Sequence, residues 1–380
     1  MTVPTPTELK PELGAPIDEI ETPAVVVDLD VMERNVAAYA DFADEHDVSL
    51  RSHTKTHKTP AIAHWQAEVG GGGIVCQTLS EAEVMAAAGI DDVYLSYMVV
   101  GDRKLDRLVA LSETLDHFAT TVDGAGNLQP LQEAAARHET TVNAVLEVDV
   151  GLGRVGVQPG EPAVELARAI DEAENVRLDG VMGYEGHVAY GEDSPETEAA
   201  LERRSLACMD ELETTVEAIE ADGIPVETVG VGSTATSRYS GKHPVVSEIH
   251  PGMYPFMDAR LATLPGIEKE DCALAVHSTV ISAPADDRVV VDAGSKSISL
   301  EVDHDPLYAG EDEGIRYVNA SEEHGWIDVA DADRDLSVGD RLAFYPPHVC
   351  PTINLHDTIV GVRDGRVETV WSVQGRGKVK

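Results

Sequence analysis

Leu50-Arg51-Ser52-His53-Thr54-Lys55-Thr56-His57-Lys58-Thr59-Pro60 is the stretch from which the rest of the chain takes its order. It follows a short extended run, Asp47 to Arg51, and precedes a segment of helical character, Ala61 to Val69. Lys55 is therefore expected just past the end of a strand, among His53, His57 and Lys58. An amine placed among cations finds its protonated form disfavoured. A neutral lysine amine condenses with aldehydes to a Schiff base, the chemistry of pyridoxal phosphate (PLP) enzymes. A solvated basic loop is the commoner explanation of such a run. Against it stands the scarcity of lysine: nine in 380 residues, two of them in this one stretch.

Outward from this stretch the pattern alternates. Candidate strands fall at 48–54, 73–77, 92–96, 117–122, 143–149, 177–184, 226–231 and 245–249. Helical segments lie between most of them: Ser80 to Ala88, Leu131 to His138, Glu161 to Ala173 and Pro195 to Asp222. Ser233 to Pro244 is Gly/Ser/Thr-rich and too short for a firm helix. Upstream, Ala24 to Asp28 reads as a strand and Val31 to His46 as a helix capped by Asp30. Eight strands with intervening helices over about 220 residues point to a TIM-type (β/α)8 barrel rather than an open doubly wound sheet. After Leu264 the runs become β-like: Ala273 to Ile281, Arg288 to Asp292, Asp340 to Tyr345, Asp357 to Arg363 and Arg366 to Ser372. Turns such as Ala283-Pro284-Ala285-Asp286 and Asp364-Gly365 split them. The expected organisation is a barrel at 23–264 followed by a smaller all-β domain at 265–380, joined by 1–22.

Composition narrows the partners. The balance of 69 acidic to 28 basic residues, a formal charge of −41, argues against nucleic acid and against an anionic membrane. The acids are dispersed, as in Asp41, Asp44, Glu45 and Asp47 or Asp331, Asp333 and Asp335, which fits a halophilic protein in a salt-rich cytoplasm. Four cysteines (76, 208, 272, 350) without CxxC spacing give no disulfide framework or zinc cluster. Residues Met1 to Glu21 are Pro-rich and acidic, with no secretory pattern, and no apolar run approaches ~20 residues, so a cytoplasmic protein is expected.

Arg51-Ser52-His53-Thr54-Lys55-Thr56-His57-Lys58 resembles the R-P-H-x-K-T-H-K signature of the D-threonine aldolase and D-serine dehydratase family, fold-type III PLP enzymes related to alanine racemase. The resemblance continues in patches from about Glu21 to Trp371. It implies Lys55, not Lys58, as the Schiff-base lysine; Ser52 departs from the family's proline without removing a reactive group. In TIM barrels the active site lies at the carboxyl ends of the strands. The polar and glycine-bearing clusters fall there: Glu147 to Val157 after strand five, Tyr184-Glu185-Gly186-His187 after strand six, Gly232-Ser233-Thr234 after strand seven, and His250-Pro251-Gly252-Met253-Tyr254 after strand eight. The last two can present N–H groups and hydroxyls to an anion. By resemblance they are cofactor phosphate loops, implicating Ser233, Thr234, Gly252, Met253 and Tyr254. Arg154 sits in a run similar to the family's D-x-G-x-x-R-x-G-V loop, whose arginine approaches the PLP ring. Tyr184 and His187 are placed as catalytic and cofactor-contacting groups, with a structural histidine the competing reading of His187.

In the second domain, Pro346-Pro347-His348-Val349-Cys350-Pro351-Thr352-Ile353-Asn354 sets an imidazole and a thiol two residues apart, a pair that suits Zn2+. The run resembles the family's metal loop, H-x-C-P-T-x-N or H-x-D-P-T-x-N, so His348 and Cys350 are the expected ligands of Zn2+ or Mn2+. Ser321-Glu322-Glu323-His324-Gly325 is similar to a second family motif, with His324 in a supporting role.

Together these imply a PLP- and metal-dependent lyase acting on a small D-β-hydroxy amino acid: serine, threonine or 3-hydroxyaspartate. Two outcomes diverge. Loss of the α-proton and of hydroxide gives a keto acid and ammonia. Loss of the hydroxyl proton with Cα–Cβ cleavage gives glycine and an aldehyde. Cys350 resembles the dehydratase version of the metal loop, where aldolases typically show Asp. Tyr190 also stands where aldolases tend to place a histidine. Elimination is the leading expectation and the D-threonine aldolase reaction its alternative. Further alternatives are an amino-acid racemase or decarboxylase, or a non-catalytic PLP-binding protein. A homodimer is expected by the same resemblance.

Overall fold

The computed structural model describes residues 10–190, 194–302 and 304–380; residues 1–9 of the segment expected to join the all-β domain lie outside them. The chain divides into two compact units. One comprises Ala37–Lys55, Pro60–Gly252 and Gly377–Lys380; the other comprises the residues up to Val36, Thr56–Thr59 and Met253–Arg376.

The first strand of the chain, β1 (Ala24–Asp28), was counted above with the barrel, but it pairs antiparallel with β10 (Leu274–Ala285) and parallel with β16 (Thr358–Arg363) in the second unit. The helix after it spans Leu29–His46. Because it starts at Leu29, its cap is Asp28 and not Asp30: the Asp28 carboxylate accepts the N–H groups of Asp30 (3.0 Å) and Val31 (3.2 Å).

The first unit is a closed parallel barrel of eight strands, as the alternation implied: β2 (Ser49–His53), β3 (Gly71–Cys76), β4 (Asp92–Leu95), β5 (His117–Val122), β6 (Val142–Val148), β7 (Val176–Gly183), β8 (Val229–Val231) and β9 (Glu248–Ile249). Inward-facing Val75, Tyr94, Ala119, Val145 and Met182, from five successive strands, pack into one buried layer with Tyr184 against it. Burying each of the larger side chains contributes about 1.5–3 kcal/mol, so a charge at Val145 would break the layer. Outside, helix Glu161–Asp171 buries Ala163, Val164, Leu166, Ala167 and Ile170, the spacing of one helical face. Ser233 to Pro244 contains only a single helical turn, Ser237–Ser240. At the amino-terminal end of the strands, a cavity of about 380 Å³ is lined by Arg51, Asp92, His117, Asp179 and Glu248 among others.

The second unit is a nine-stranded sheet ordered β13-β14-β11-β10-β1-β16-β17, with β15 on β10 and β12 on β15. Its remaining strands are β11 (Arg288–Val291), β12 (Leu307–Tyr308), β13 (Arg316–Ala320), β14 (Gly325–Asp328), β15 (Arg341–Tyr345) and β17 (Arg366–Ser372). The expected turn at Ala283–Asp286 is instead strand as far as Ala285, with the reversal at Asp286-Asp287. Pro284 lacks an N–H, and the pairing accommodates it with register shifts on both sides of Ser282. Strands β12, β13 and β14 were not anticipated. Ile20, Val26, Val360, Val362 and Val367 form the buried cluster beside β1. No helix among the described residues is long and apolar enough to cross a membrane.

Candidate active site

Every site residue expected from the barrel segment, Gly252 included, falls at the carboxyl end of its strand or in the loop that follows. Lys55 occupies the 3-10 turn Thr54–Thr56 that ends β2. Its Nζ lies 6.0 Å from the centre of the Tyr184 ring and 3.5 Å from Gln77 Oε1. The three groups expected around this amine are held in different ways. His53 is buried, and burial first, the Lys55 charge second, push its imidazole well below the usual range. Its Nδ1 accepts the Lys55 backbone N–H (3.4 Å) while Nε2–H donates to Gln77 Oε1 (3.0 Å), the pattern of a neutral ring. His57 belongs to the second unit, fully buried, its Nδ1 accepting the Thr59 N–H at 3.1 Å. The backbone of Lys58, in the same unit, has φ 52° and accepts the Gly375 N–H at 2.8 Å. Gln77, whose amide oxygen lies beside the Lys55 amine, is tethered by donating to the Ser96 carbonyl at 2.7 Å.

Arg154 is placed by the loop after β6. Asp149 accepts the N–H groups of Gly151 (3.1 Å) and Gly153 (2.9 Å), and Asp123 that of Gly156 (3.2 Å). Gly156 has φ 105°, and a Cβ there would stand 2.6 Å from the Asp149 nitrogen, so the loop closes only with glycine. The Arg154 guanidinium lies 4.9 Å from the Tyr184 ring centre, and its Nη2 is 4.0 Å from Glu147 Oε1. Lys55 and Arg154 therefore both approach the Tyr184 ring. Burial pushes the Glu147 carboxyl up to about 7, against the opposing pull of Arg154. His187 Nδ1 is buried without a hydrogen-bond partner, and Gly151 packs against the ring, where a Cβ would come within 3.0 Å of Nε2.

The loop after β8 differs from its expected use. The Gly232 N–H is already taken by Glu185 Oε2 (3.1 Å) and the Ser233 N–H by Thr236 Oγ1 (3.1 Å), so these two amides do not face an anion. Glu185 is fully buried, its carboxyl pushed up by burial, and it also accepts the Ser240 hydroxyl at 2.5 Å. The Thr234 carbonyl accepts the Tyr39 hydroxyl at 2.7 Å. Ser237 Oγ is buried and unpartnered. Two orphaned polar atoms, His187 Nδ1 and Ser237 Oγ, together with Arg154 and Lys55, fit a polar anionic cofactor bearing an aldehyde. Gly252 ends the barrel unit; Met253 and Tyr254 begin the second unit, with Tyr254 fully buried.

In the second unit, His348 precedes the short helix Val349–Ile353. Its Nδ1 is 2.5 Å from Glu301 Oε1, and the Cys350 thiol is 3.3 Å from Thr56 Oγ1. Burial acts to lower the His348 imidazole, but Cys350, Asp258 and Glu301 outweigh it and push it up to about 9. The Glu301 carboxylate beside the ring makes the place one of negative potential, and a nitrogen–sulfur pair there suits a divalent cation of intermediate softness. Among the described residues no three His, Cys, Asp or Glu side chains gather into a metal cluster. His324 is exposed in the β13–β14 turn, its carbonyl accepting the Ser321 N–H at 2.9 Å. Gln77, Glu185 and Glu301 were not singled out from sequence. The rule that strand ends carry the site would have found Gln77.

Comparison with known proteins bears on this arrangement. The description of the alanine racemase N-terminal domain matches residues 27–260, and that of a putative serine dehydratase domain matches 273–362. The chain is 35% identical over 373 residues to a 3-hydroxy-D-aspartate aldolase of Paracoccus denitrificans, covering 96% of this chain and 94% of the relative. The crystal structure of D-threonine aldolase from Filomicrobium marinum superposes with a TM-score of 0.91 at 35% identity, over 97% of this chain and 100% of the other. That of D-threo-3-hydroxyaspartate dehydratase from Delftia sp. HT23 gives 0.84 at 27%, over 94% and 98%. A cysteine-to-alanine mutant of a D-threo-3-hydroxyaspartate dehydratase in the metal-free form superposes with a TM-score of 0.85 at 26% identity, over 94% and 98%.

Proposed function

Because this chain belongs to the family of PLP-dependent lyases that act on D-β-hydroxy amino acids, we propose that it removes water from D-serine, D-threonine or 3-hydroxyaspartate, giving a keto acid and ammonia. The observation that carries the lyase chemistry is the convergence of Lys55 and Arg154 on Tyr184 at the mouth of the barrel. Lys55 is assigned to bind the cofactor aldehyde, with the side chains of Ser233 and Thr234 and the run Gly252, Met253 and Tyr254 toward its phosphate. Bound there, PLP would draw electrons from the substrate's α-carbon. With the cofactor in place, the Lys55 Nζ would be the base that takes the α-proton of the substrate. Arg154 sets the electrostatics over the ring through its guanidinium, and Tyr184 holds both cations in register. His187 is assigned to a hydrogen bond with cofactor or substrate through its unpartnered nitrogen. His348 and Cys350 would hold Zn2+ or Mn2+, which supplies a Lewis acid for the β-hydroxyl.

Elimination is favoured by a thiol at position 350, in keeping with a dehydratase relative whose cysteine mutant has been obtained free of metal. Retro-aldol cleavage to glycine and an aldehyde is the second reading, supported by the higher identity to aldolases, 35% against 31% for the Delftia dehydratase. The test is to incubate the PLP- and metal-loaded protein at high salt with each D-amino acid. Keto acid with ammonia supports elimination; glycine with aldehyde in equal amount replaces it with the aldolase. A homodimer in the cytoplasm belongs to this reading, and sizing in high salt checks the dimer.

A further inference from the structure

We propose that Glu301 is the positioning residue of the metal loop: its carboxylate, on the His348 ring at 2.5 Å, aims the opposite nitrogen at the ion. This rests on the reading of His348 and Cys350 as metal ligands. A carboxylate only accepts, so the proton of the bond sits on His348 Nδ1 and the lone pair that can bind metal is on Nε2. A bond at one ring nitrogen fixes both the tautomer and the rotation of the imidazole, and it raises the basicity of the other nitrogen.

The surroundings suit that function. The Ser299 N–H donates to Thr352 Oγ1 (3.1 Å), and the Thr352 hydroxyl donates to the His348 carbonyl (2.9 Å). The segment carrying Glu301 is therefore pinned, two residues upstream, to the helix that His348 precedes. Next to the ring, buried Asp258 accepts the Val349 N–H (3.1 Å) and the Leu261 N–H (2.8 Å). Asp258 and Thr352 thus hold the backbone of the loop, while the ring itself is held by side chains, Glu301 at Nδ1 and the Cys350 thiol beside it. A direct third ligand is a different arrangement: Glu301 points an oxygen at the ring nitrogen, and the described residues hold no cluster of three donors.

The test measures Zn2+ affinity by competition with a chromophoric chelator in wild type, Glu301→Gln, Glu301→Ala and His348→Ala, each at full length. Co2+ spectra serve as a second readout of His–Cys ligation, and thermal unfolding of the metal-free forms checks the fold. We expect Glu301→Ala to bind 10–100-fold more weakly, and Glu301→Gln, which keeps an acceptor oxygen, to lose less. The Co2+ spectrum should broaden in Glu301→Ala while unfolding stays unchanged. Equal affinity in wild type and Glu301→Ala overturns this inference and leaves the metal reading intact. A loss as large as that of His348→Ala makes Glu301 a ligand and also overturns it. No binding by wild type removes the metal reading itself, and this inference with it.

Discussion

The Glu147 carboxylate and the Arg154 guanidinium lie 4.0 Å apart, the acid side chain only 5% exposed and the arginine 53%. The acid is out of water and the base half in it, so burial wins and the carboxyl titrates near 7. The sign of the stability effect follows. A carboxyl raised from its ordinary value favours the fold while protonated, and that contribution is lost as pH climbs from the unfolded value of 4.5 through 7. Glu147→Gln should flatten the melting temperature across that window. Above pH 7 it should also lower kcat/KM by roughly tenfold, the equivalent of about 1.4 kcal/mol, because Arg154 loses its ionised partner. A melting profile as steep in the glutamine variant as in wild type would refute the assignment.

Lys55 and Lys58 separate cleanly in the same experiment. Borohydride reduction of the PLP-loaded protein, followed by peptide mapping, should place the label on Lys55 alone. Lys55→Ala should abolish the label and cut activity by on the order of 10³-fold. Lys58→Ala should retain both, since the local role of Lys58 is a backbone one, a carbonyl bonded to Gly375. A label on Lys58 in the wild-type protein would end the proposed mechanism.

The eight barrel strands were legible because short extended runs alternate with helical segments over about 220 residues, and a parallel barrel then puts the polar and glycine-bearing clusters that follow several of them at one end. Lys55 stood out because lysine is rare here. The same logic explains the misses. Glu147, Glu185 and Glu301 are three acids among 69, and nothing local separates a carboxylate with a structural partner from a solvated one. Their partners come from residues 47, 7 and 47 positions away in the chain: Gly232 for Glu185, Arg154 for Glu147, His348 for Glu301. Strands β13 and β14 escaped notice because they mix Arg316, Asn319 and exposed Trp326 with buried Tyr317 and Ile327, so alternation is blurred. Asp28 and Asp30 both satisfy a capping pattern, and only the hydrogen bonds choose between them.

Glu185 is the internal support of the loop after β8. Glu185→Ala leaves the Gly232 N–H and the Ser240 hydroxyl unpaired in a buried site, a cost of about 2–4 kcal/mol. Chemical denaturation should show that loss, and the cofactor should dissociate more readily from the variant. Glu185→Gln, which keeps an acceptor, should be milder. An alanine variant as stable as wild type would show that the loop does not depend on this carboxyl.

At the opposite end of the barrel, His117 bridges Asp92 (2.9 Å) and Asp179 (3.2 Å), while Arg51 joins Asp92 (2.7 Å) to Glu248 (2.8 Å). Asp179 and Asp92 push the imidazole up to about 9. A base raised above its ordinary 6.5 stabilises fully below that value and loses the contribution as pH rises through 9. The ring is a third exposed, so solvent screening limits the effect to about 1 kcal/mol. His117→Gln should be less stable than wild type at pH 6 and equal to it above pH 10. A difference that persists at high pH would assign His117 a packing role instead.

The last expectation concerns salt. A net charge of −41 spread over the surface repels itself, and the Debye length falls from about 10 Å at 0.1 M to about 3 Å at 1 M. Exposed acids should therefore cost the fold dearly in dilute buffer and little in concentrated KCl, whereas the buried Arg51–Glu248 pair is screened far less. The melting temperature should rise on the order of 10 °C between 0.1 and 2 M KCl, a few kcal/mol for a chain of this size. Sucrose raised to the same osmolarity separates screening from solute exclusion, because it is excluded from the surface but carries no charge. Screening requires KCl to stabilise well beyond sucrose. Equal effects would mean that the acidic surface is not what makes the fold depend on salt.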